Sequence, residues 1–170
     1  MKERKPKMRE RGHVITRRSL AGLMAAAAAA VLARPAVAAQ AGETTVTVHR
    51  DPSCGCCAGW VQHLRDAGFV VQVEETADLD AVRNRLGIPS DLAACHTAEV
   101  AGYLIEGHVP AAAVRRLLSE RPIAKGLAVP GMPVGSPGME GGKPEPYTVV
   151  LFGADGQRPF MRFVGSQVIG

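Results

Sequence analysis

Five consecutive residues, Ser53-Cys54-Gly55-Cys56-Cys57, hold three of the chain's four cysteines, and the fourth stands at Cys95 beside His96. Cys54 and Cys57 have the C-x-x-C spacing of a thiol–disulfide pair, whereas Cys56 adds a sulfur that a redox pair does not need. Clustered thiolates also bind soft metal ions. Two kinds of chemistry therefore share one segment: disulfide exchange and soft-metal ligation. Both depend on where the thiols sit. The β-branched run Thr45–Arg50 alternates like a strand, and Cys57, Trp60, Val61 and Leu64 recur at i, i+3, i+4 and i+7 like one face of a helix reaching Ala67. Between them, Pro52 stops the strand ladder and Ser53 is the expected N-cap, which puts the thiols on the first helical turn. Free N–H groups and the helix dipole favour anions there, so thiolates are expected.

Other donors are spread along the chain. Met132 and Met139 lie in Gly/Pro-bounded loop units with little core to pad, and His108 precedes a helical run. Thiolate and thioether sulfur select Cu(I), with imidazole acceptable to it. Zinc competes, since Cys₄ or Cys₃His fills a closed tetrahedron, but three cysteines within four positions spread poorly over one tetrahedron. Sulfurs bridging two or more Cu(I) ions suit that crowding better. The four cysteines also permit two structural disulfides, and these alternatives stay open. His96 has no assigned role, and His49 near the cysteines is a candidate without support. His63 lies two helical turns from Cys56, roughly 10 Å on helix geometry, and is expected on the surface.

Residues 1–38 read as an export signal. A basic start leads into Thr16-Arg17-Arg18-Ser19-Leu20, which resembles a twin-arginine motif; an Ala-rich stretch and the small-residue site Ala36-Val37-Ala38 follow. The apolar run is shorter than the about 20 residues needed to span a bilayer. The expected location is the periplasm, an oxidising compartment, with no membrane contact after cleavage. The charge agrees with this division. The chain has 20 Lys+Arg and 16 Asp+Glu; nine of those bases and two of those acids fall in 1–38, so the remainder has 11 against 14, a net of −3. Residues 39–170 thus carry no basic footprint for nucleic acid.

Those 132 residues suit one domain with its own core. After the first strand and helix, Gly68 precedes a second strand (Phe69–Val73) and a second helix (Thr76–Leu86) ending at Gly87. The short crossover favours parallel, right-handed pairing. Ala98–Ile105 reads as a third strand, and Pro110 opens a third helix with a Val114, Leu117 and Leu118 stripe. A Gly/Pro-dense loop covers Lys125–Pro146, long enough to suggest function. Tyr147–Phe152 and Arg158–Val164 form a hairpin around Asp155-Gly156. The fold class is α/β, with parallel strands first and a hairpin last in a mixed sheet.

Four motifs in order carry a resemblance: Asp51-Pro52-Ser53-Cys54-Gly55-Cys56-Cys57, Cys95-His96-Thr97, Glu106-Gly107-His108-Val109-Pro110, and Pro130-Gly131-Met132-Pro133 with Gly135-Ser136-Pro137-Gly138-Met139-Glu140. Together they resemble the periplasmic CopG-type copper-resistance proteins, from about Thr45 to about Phe163. The resemblance implies a thioredoxin-like single domain and a copper site built on the C-x-C-C segment. It implies Cys54, Cys56, Cys57 and Cys95 as sulfur ligands, with His108, Met132 and Met139 as further contributors. Copper ions and other periplasmic copper-handling proteins are the expected partners.

Three function classes follow: a periplasmic Cu(I)-binding protein with redox activity as a further expectation, a thiol–disulfide oxidoreductase using Cys54 and Cys57, and a disulfide-stapled binding module. The second is weakened because no proline directly precedes the third strand, where thioredoxin-like enzymes place one against the active site.

Overall fold

The computed structural model describes residues 44–170; the proposed signal at 1–38 lies outside them. One mixed eight-stranded sheet, in the order β2-β1-β3-β4-β5-β6-β7-β8, carries three α-helices. β1 (Thr45–Arg50), α1 (Gly55–Asp66) and β2 (Val70–Glu75) form the expected parallel crossover, with Val48 opposite Val73. Val46 and Val48 point into the core while Thr45 and Thr47 are half-buried on the other face, as the period-2 pattern requires. α1 buries Cys57, Trp60, Val61 and Leu64. Burial of side chains of this size is worth about 1.5–3 kcal/mol each.

α2 (Leu79–Leu86) begins three residues later than the sequence suggested, because Asp78, whose carboxylate accepts the Ala81 N–H, is the better cap. Gly87 ends it in the left-handed region at φ 66°, as expected. The predicted single strand over Ala98–Ile105 is a hairpin: β3 (His96–Val100) and β4 (Tyr103–Glu106) pair antiparallel. Ala101 and Gly102 take φ 49° and 86° between them, the two left-handed residues of a tight turn whose twist matches the strands. β3 also runs antiparallel to β1.

α3 (Ala111–Glu120) follows Pro110 and returns the chain to β5 (Gly126–Ala128), parallel to β4. Val114 and Leu117 are buried and Leu118 packs at the margin of the core. β6 (Pro146–Gly153) and β7 (Gly156–Val164) form the predicted hairpin, and β8 (Gln167–Val168) closes the edge. The main core, including Trp60, Leu64, Ile105, Val114 and Leu117, joins α1 and α3 to one face of the sheet. A smaller cluster of Ile88, Leu92, Leu104, Ala128 and Phe152, with Leu86 against it, covers the other face. No helix among the described residues is long and apolar enough to cross a membrane.

Candidate metal and thiol site

The site forms where α1 begins. Cys54, not Ser53, is the N-cap: its Sγ accepts the Cys57 N–H at 3.3 Å. Ser53 instead turns back, its N–H and hydroxyl donating to Asp51 Oδ1 at 2.7 and 2.5 Å. Arg50 steadies this turn by donating to the carbonyls of Asp51, Pro52 and Cys54, and it pairs with Glu75 at 2.9 Å. Cys54 and Cys57 are joined as a disulfide, with Cα atoms 5.4 Å apart. The first-turn thiolates expected at these two positions are therefore absent in this state, since bonded sulfurs do not titrate. Cys56 and Cys95 keep free thiols.

The sulfurs form a short chain. Cys56 Sγ lies 3.5 Å from Cys54 Sγ and 3.8 Å from Cys95 Sγ. Cys57 Sγ lies 3.4 Å from the Cys95 carbonyl oxygen. All four cysteine sulfurs fall within 4.8 Å of one another, and Cys95, His96 and His108 form a second such group sharing Cys95. Burial, with Cys56 beside it, pushes the Cys95 thiol up to about 12, so Cys95 is a protonated donor here.

His108 is fully buried and its tautomer is fixed by its surroundings. Nδ1 donates to the Pro137 carbonyl at 2.8 Å, because a carbonyl can only accept; Nε2 is left with a lone pair facing Cys95 Sγ at 2.8 Å. Burial pushes His108 below its usual value, which keeps the ring neutral. A carbonyl that holds one ring nitrogen and leaves the other its lone pair prepares an imidazole to ligate a metal. His96 is also fully buried, with Nδ1 3.4 Å from Cys95 Sγ. Its ring lies tilted at 38° against Trp60, centroids 4.3 Å apart, and meets His108 edge-on at 5.0 Å. Burial and His108 lower His96 to about 3, and its Nε2 is buried without a hydrogen-bond partner.

The loop at 136–139 covers this corner. Gly138, at φ 86°, sits so close to α1 that a Cβ there would overlap the Cys56 carbonyl oxygen and lie 2.8 Å from Trp60 N. On the other side, a Cβ on Gly59 would come within 2.9 Å of Gly138 Cα. Two glycines thus let the loop dock and bring the Pro137 carbonyl to His108. Trp60 Nε1 donates to the Val109 carbonyl at 2.8 Å, fixing the His108–Pro110 segment against the same helix.

The structure brings Cys54, Cys56, Cys57, Cys95 and His108 together, and adds His96. Met139 is half-buried in the docked loop, its N–H bonded to the Ser136 carbonyl at 2.7 Å, whereas Met132 is 55% exposed. His49 lies between Glu74 and Glu99 at 3.2 and 3.0 Å as a cross-strand tie. His63 is not a plain surface residue: it is half-buried, and its Nε2 accepts the Ala111 N–H at 3.0 Å at the start of α3. The expectation failed because helix geometry gives distance from Cys56 but not what packs alongside.

Sequence reasoning missed Arg83 and the role of Glu106. Glu106 is fully buried at the end of β4 and bonds Arg83, the Ala94 N–H and the Thr97 hydroxyl. A charged residue closing an otherwise apolar strand was the available signal.

A family model described as a protein of unknown function, DUF411, matches residues 92–139, from the turn before Cys95 through the docked loop. No curated protein matches the chain. Two solved structures are similar to it, both of the copper resistance protein CopG. Form 2 is 45% identical with a TM-score of 0.67, covering 71% of this chain and 98% of its own. Form 1 is 46% identical with a TM-score of 0.66, over the same shares of both chains. The convergent cysteines and the Cys95–His108 contact therefore sit in a chain that belongs to the CopG copper-resistance family.

Proposed function

We propose that the protein binds Cu(I) in the periplasm through Cys54, Cys56, Cys57, Cys95 and His108, in copper handling or resistance. One observation carries this: four sulfurs lie within 4.8 Å of one another, more than one disulfide can occupy. Such a donor set suits a soft monovalent ion, and neutral His108 offers an oriented lone pair. Crowded thiolates that bridge favour more than one copper ion per chain. Met139, half-buried in the loop that docks on α1, is a thioether donor by placement; the exposed Met132 is better suited to meeting copper at the rim. That the similar solved structures are of copper resistance proteins supports the copper reading. The twin-arginine-like segment supports export to the periplasm.

The disulfide gives this site a redox dependence. Reducing Cys54–Cys57 takes two electrons and two protons and returns two thiols, which lose their protons when they ligate copper. The reduced chain then offers four sulfurs and the oxidised chain two. Anaerobic Cu(I) titration against a competing chelator tests the reading. Reduced protein is expected to take up Cu(I), and protein oxidised at Cys54–Cys57 to take up less. Equal uptake by both, or uptake by neither, contradicts it.

The Cys54–Cys57 disulfide at a helix start favours a second reading, a thiol–disulfide oxidoreductase. The β2-β1-β3-β4 half of the sheet, with α1 starting at the cysteine pair and α3 following β4, supports a thioredoxin-like fold for either function. Cys95 occupies the position directly before β3, where the enzymes of that fold place a proline, and this favours ligation over exchange.

A further inference from the structure

Cys95 and His96 are held from the far face of the sheet. Ile105 faces the main core with α1 and α3, whereas Leu104 joins the cluster on the other face, and Glu106 alternates with Ile105 onto that second face. Glu106 Oε1 accepts the Ala94 N–H at 2.7 Å and Arg83 Nε at 3.0 Å; Oε2 accepts the Thr97 hydroxyl at 2.5 Å. Arg83, reaching over from α2, also donates to the Ala94 carbonyl and meets Asp80 at 3.0 Å. Ala94 is thus tied at both backbone groups and Thr97 at its side chain. The two residues between those ties are Cys95 and His96.

The sheet holds His96, which pairs with Arg50 of β1, but it stops short of Cys95. The β3–β4 ladder ends at Thr97 opposite Glu106, and beyond it the Gly107 N–H reaches the His96 carbonyl at 3.0 Å. Ala93 to Cys95 lie outside the strand, after a single turn of 3₁₀ helix (Ser90–Leu92). A buried ion pair is weak evidence of stabilisation, because desolvating two charges offsets most of their attraction, and an apolar side chain would fill the same space. Apart from Arg83, this carboxylate bonds only the 94–97 segment. Its placement fixes a backbone.

We propose that Glu106 and Arg83 are positioning residues, a clamp that sets Cys95 against Cys56 and His108 so that the sulfurs converge before metal arrives. As a copper-site role this rests on the Cu(I) reading, but the positioning itself does not need copper. The test therefore has a copper-free arm. In a Cys54→Ser/Cys57→Ser background only Cys56 and Cys95 remain. Diamide, whose azo bond takes up the two thiol hydrogens, joins them at a rate set by their approach, followed by peptide mapping.

Glu106→Gln keeps both acceptor contacts and can donate to Thr97, so crosslinking within about two-fold of the parent is expected. Glu106→Leu keeps volume and loses every contact the carboxylate makes; crosslinking should fall at least ten-fold. In the four-cysteine chain it should weaken Cu(I) binding by about 10–100-fold, the usual effect of removing support behind a ligand. Cooperative melting checks that the variant is folded. If Glu106→Leu does not fold, Arg83→Met in the Glu106→Gln background, which leaves no buried charge, replaces it and should slow crosslinking in the same direction. Parent-like crosslinking and Cu(I) binding in a folded Glu106→Leu or in that replacement overturns the clamp. Slowed crosslinking in a protein whose parent binds no Cu(I) upholds the clamp and removes the copper reading instead.

Discussion

At the scale of single residues, Cys56 separates the two kinds of chemistry. It lies 3.5 Å from one disulfide sulfur and 3.8 Å from Cys95, yet the Cys54–Cys57 bond does not need it. Cys56→Ser should therefore leave that disulfide forming normally, as counted by thiol alkylation, while copper per chain falls in a Cu(I) titration. Unchanged stoichiometry would exclude bridging through Cys56. The methionines divide similarly. Met→Leu roughly conserves volume, so neither variant should move stability much. Met139→Leu should lower Cu(I) affinity more than Met132→Leu, because Met139 sits in the docked loop and Met132 is 55% exposed; no loss from either would dissociate the loop from the site. The cysteines were legible in the sequence because their spacing is local. His96 was not, since its burial against Trp60 depends on how β3 meets α1. Nor was Arg83, one of two arginines on a short helix until Glu106 is found beneath it.

At the scale of elements, the strand and helix patterns at 45–66 gave the β1–α1 unit nearly to the residue, and Gly87 marked the end of α2. The β3–β4 hairpin was hidden because Ala98–Ile105 is apolar enough to read as one strand, with only Gly102 to mark the reversal. The long Gly/Pro loop was legible as a loop but not as a docked cover, because docking depends on Gly138 meeting Gly59 of α1 directly. Gly138→Ala tests that contact. It forces a Cβ onto the Cys56 carbonyl at φ 86°, and should cost about 1–3 kcal/mol in denaturant unfolding. It should also weaken Cu(I) binding by moving the Pro137 carbonyl off His108. A variant as stable as the parent would show that the loop is not seated there. At α3, burial holds His63 below 6.5, though Glu140 and Asp66 oppose the shift. Its neutral Nε2 accepts the Ala111 N–H. The unfolded chain then binds more protons below that value, so this contribution is present at higher pH and is lost as pH falls through about 6.5. His63→Gln should flatten the fall in Tm between about pH 7.5 and about pH 5.5 relative to the parent. An unchanged slope would show that His63 does not contribute.

At the scale of the whole molecule, one sheet serves two purposes. Its first four strands, with α1 and α3 on one face, bring the cysteine segment, Cys95 and His108 to one corner, and α2 braces that corner from the opposite face. The remaining strands extend the core, and the docked loop preceding β6 covers the corner. This division explains how a site drawn from positions 54 to 108 can be compact although its parts are distant in sequence. Under the proposed function it also makes oxidation state the variable that sets capacity, because sulfurs held in the Cys54–Cys57 disulfide are withdrawn from ligation. The most direct test is the copper content of the protein measured in both states under anaerobic conditions, with Cu(I)–thiolate absorption recorded alongside. Cu(I)–thiolate absorption and more than one copper per chain are expected after reduction, with a clear loss of both once Cys54–Cys57 is re-formed. Reduced protein with all four thiols free that holds no Cu(I) would contradict the Cu(I) reading.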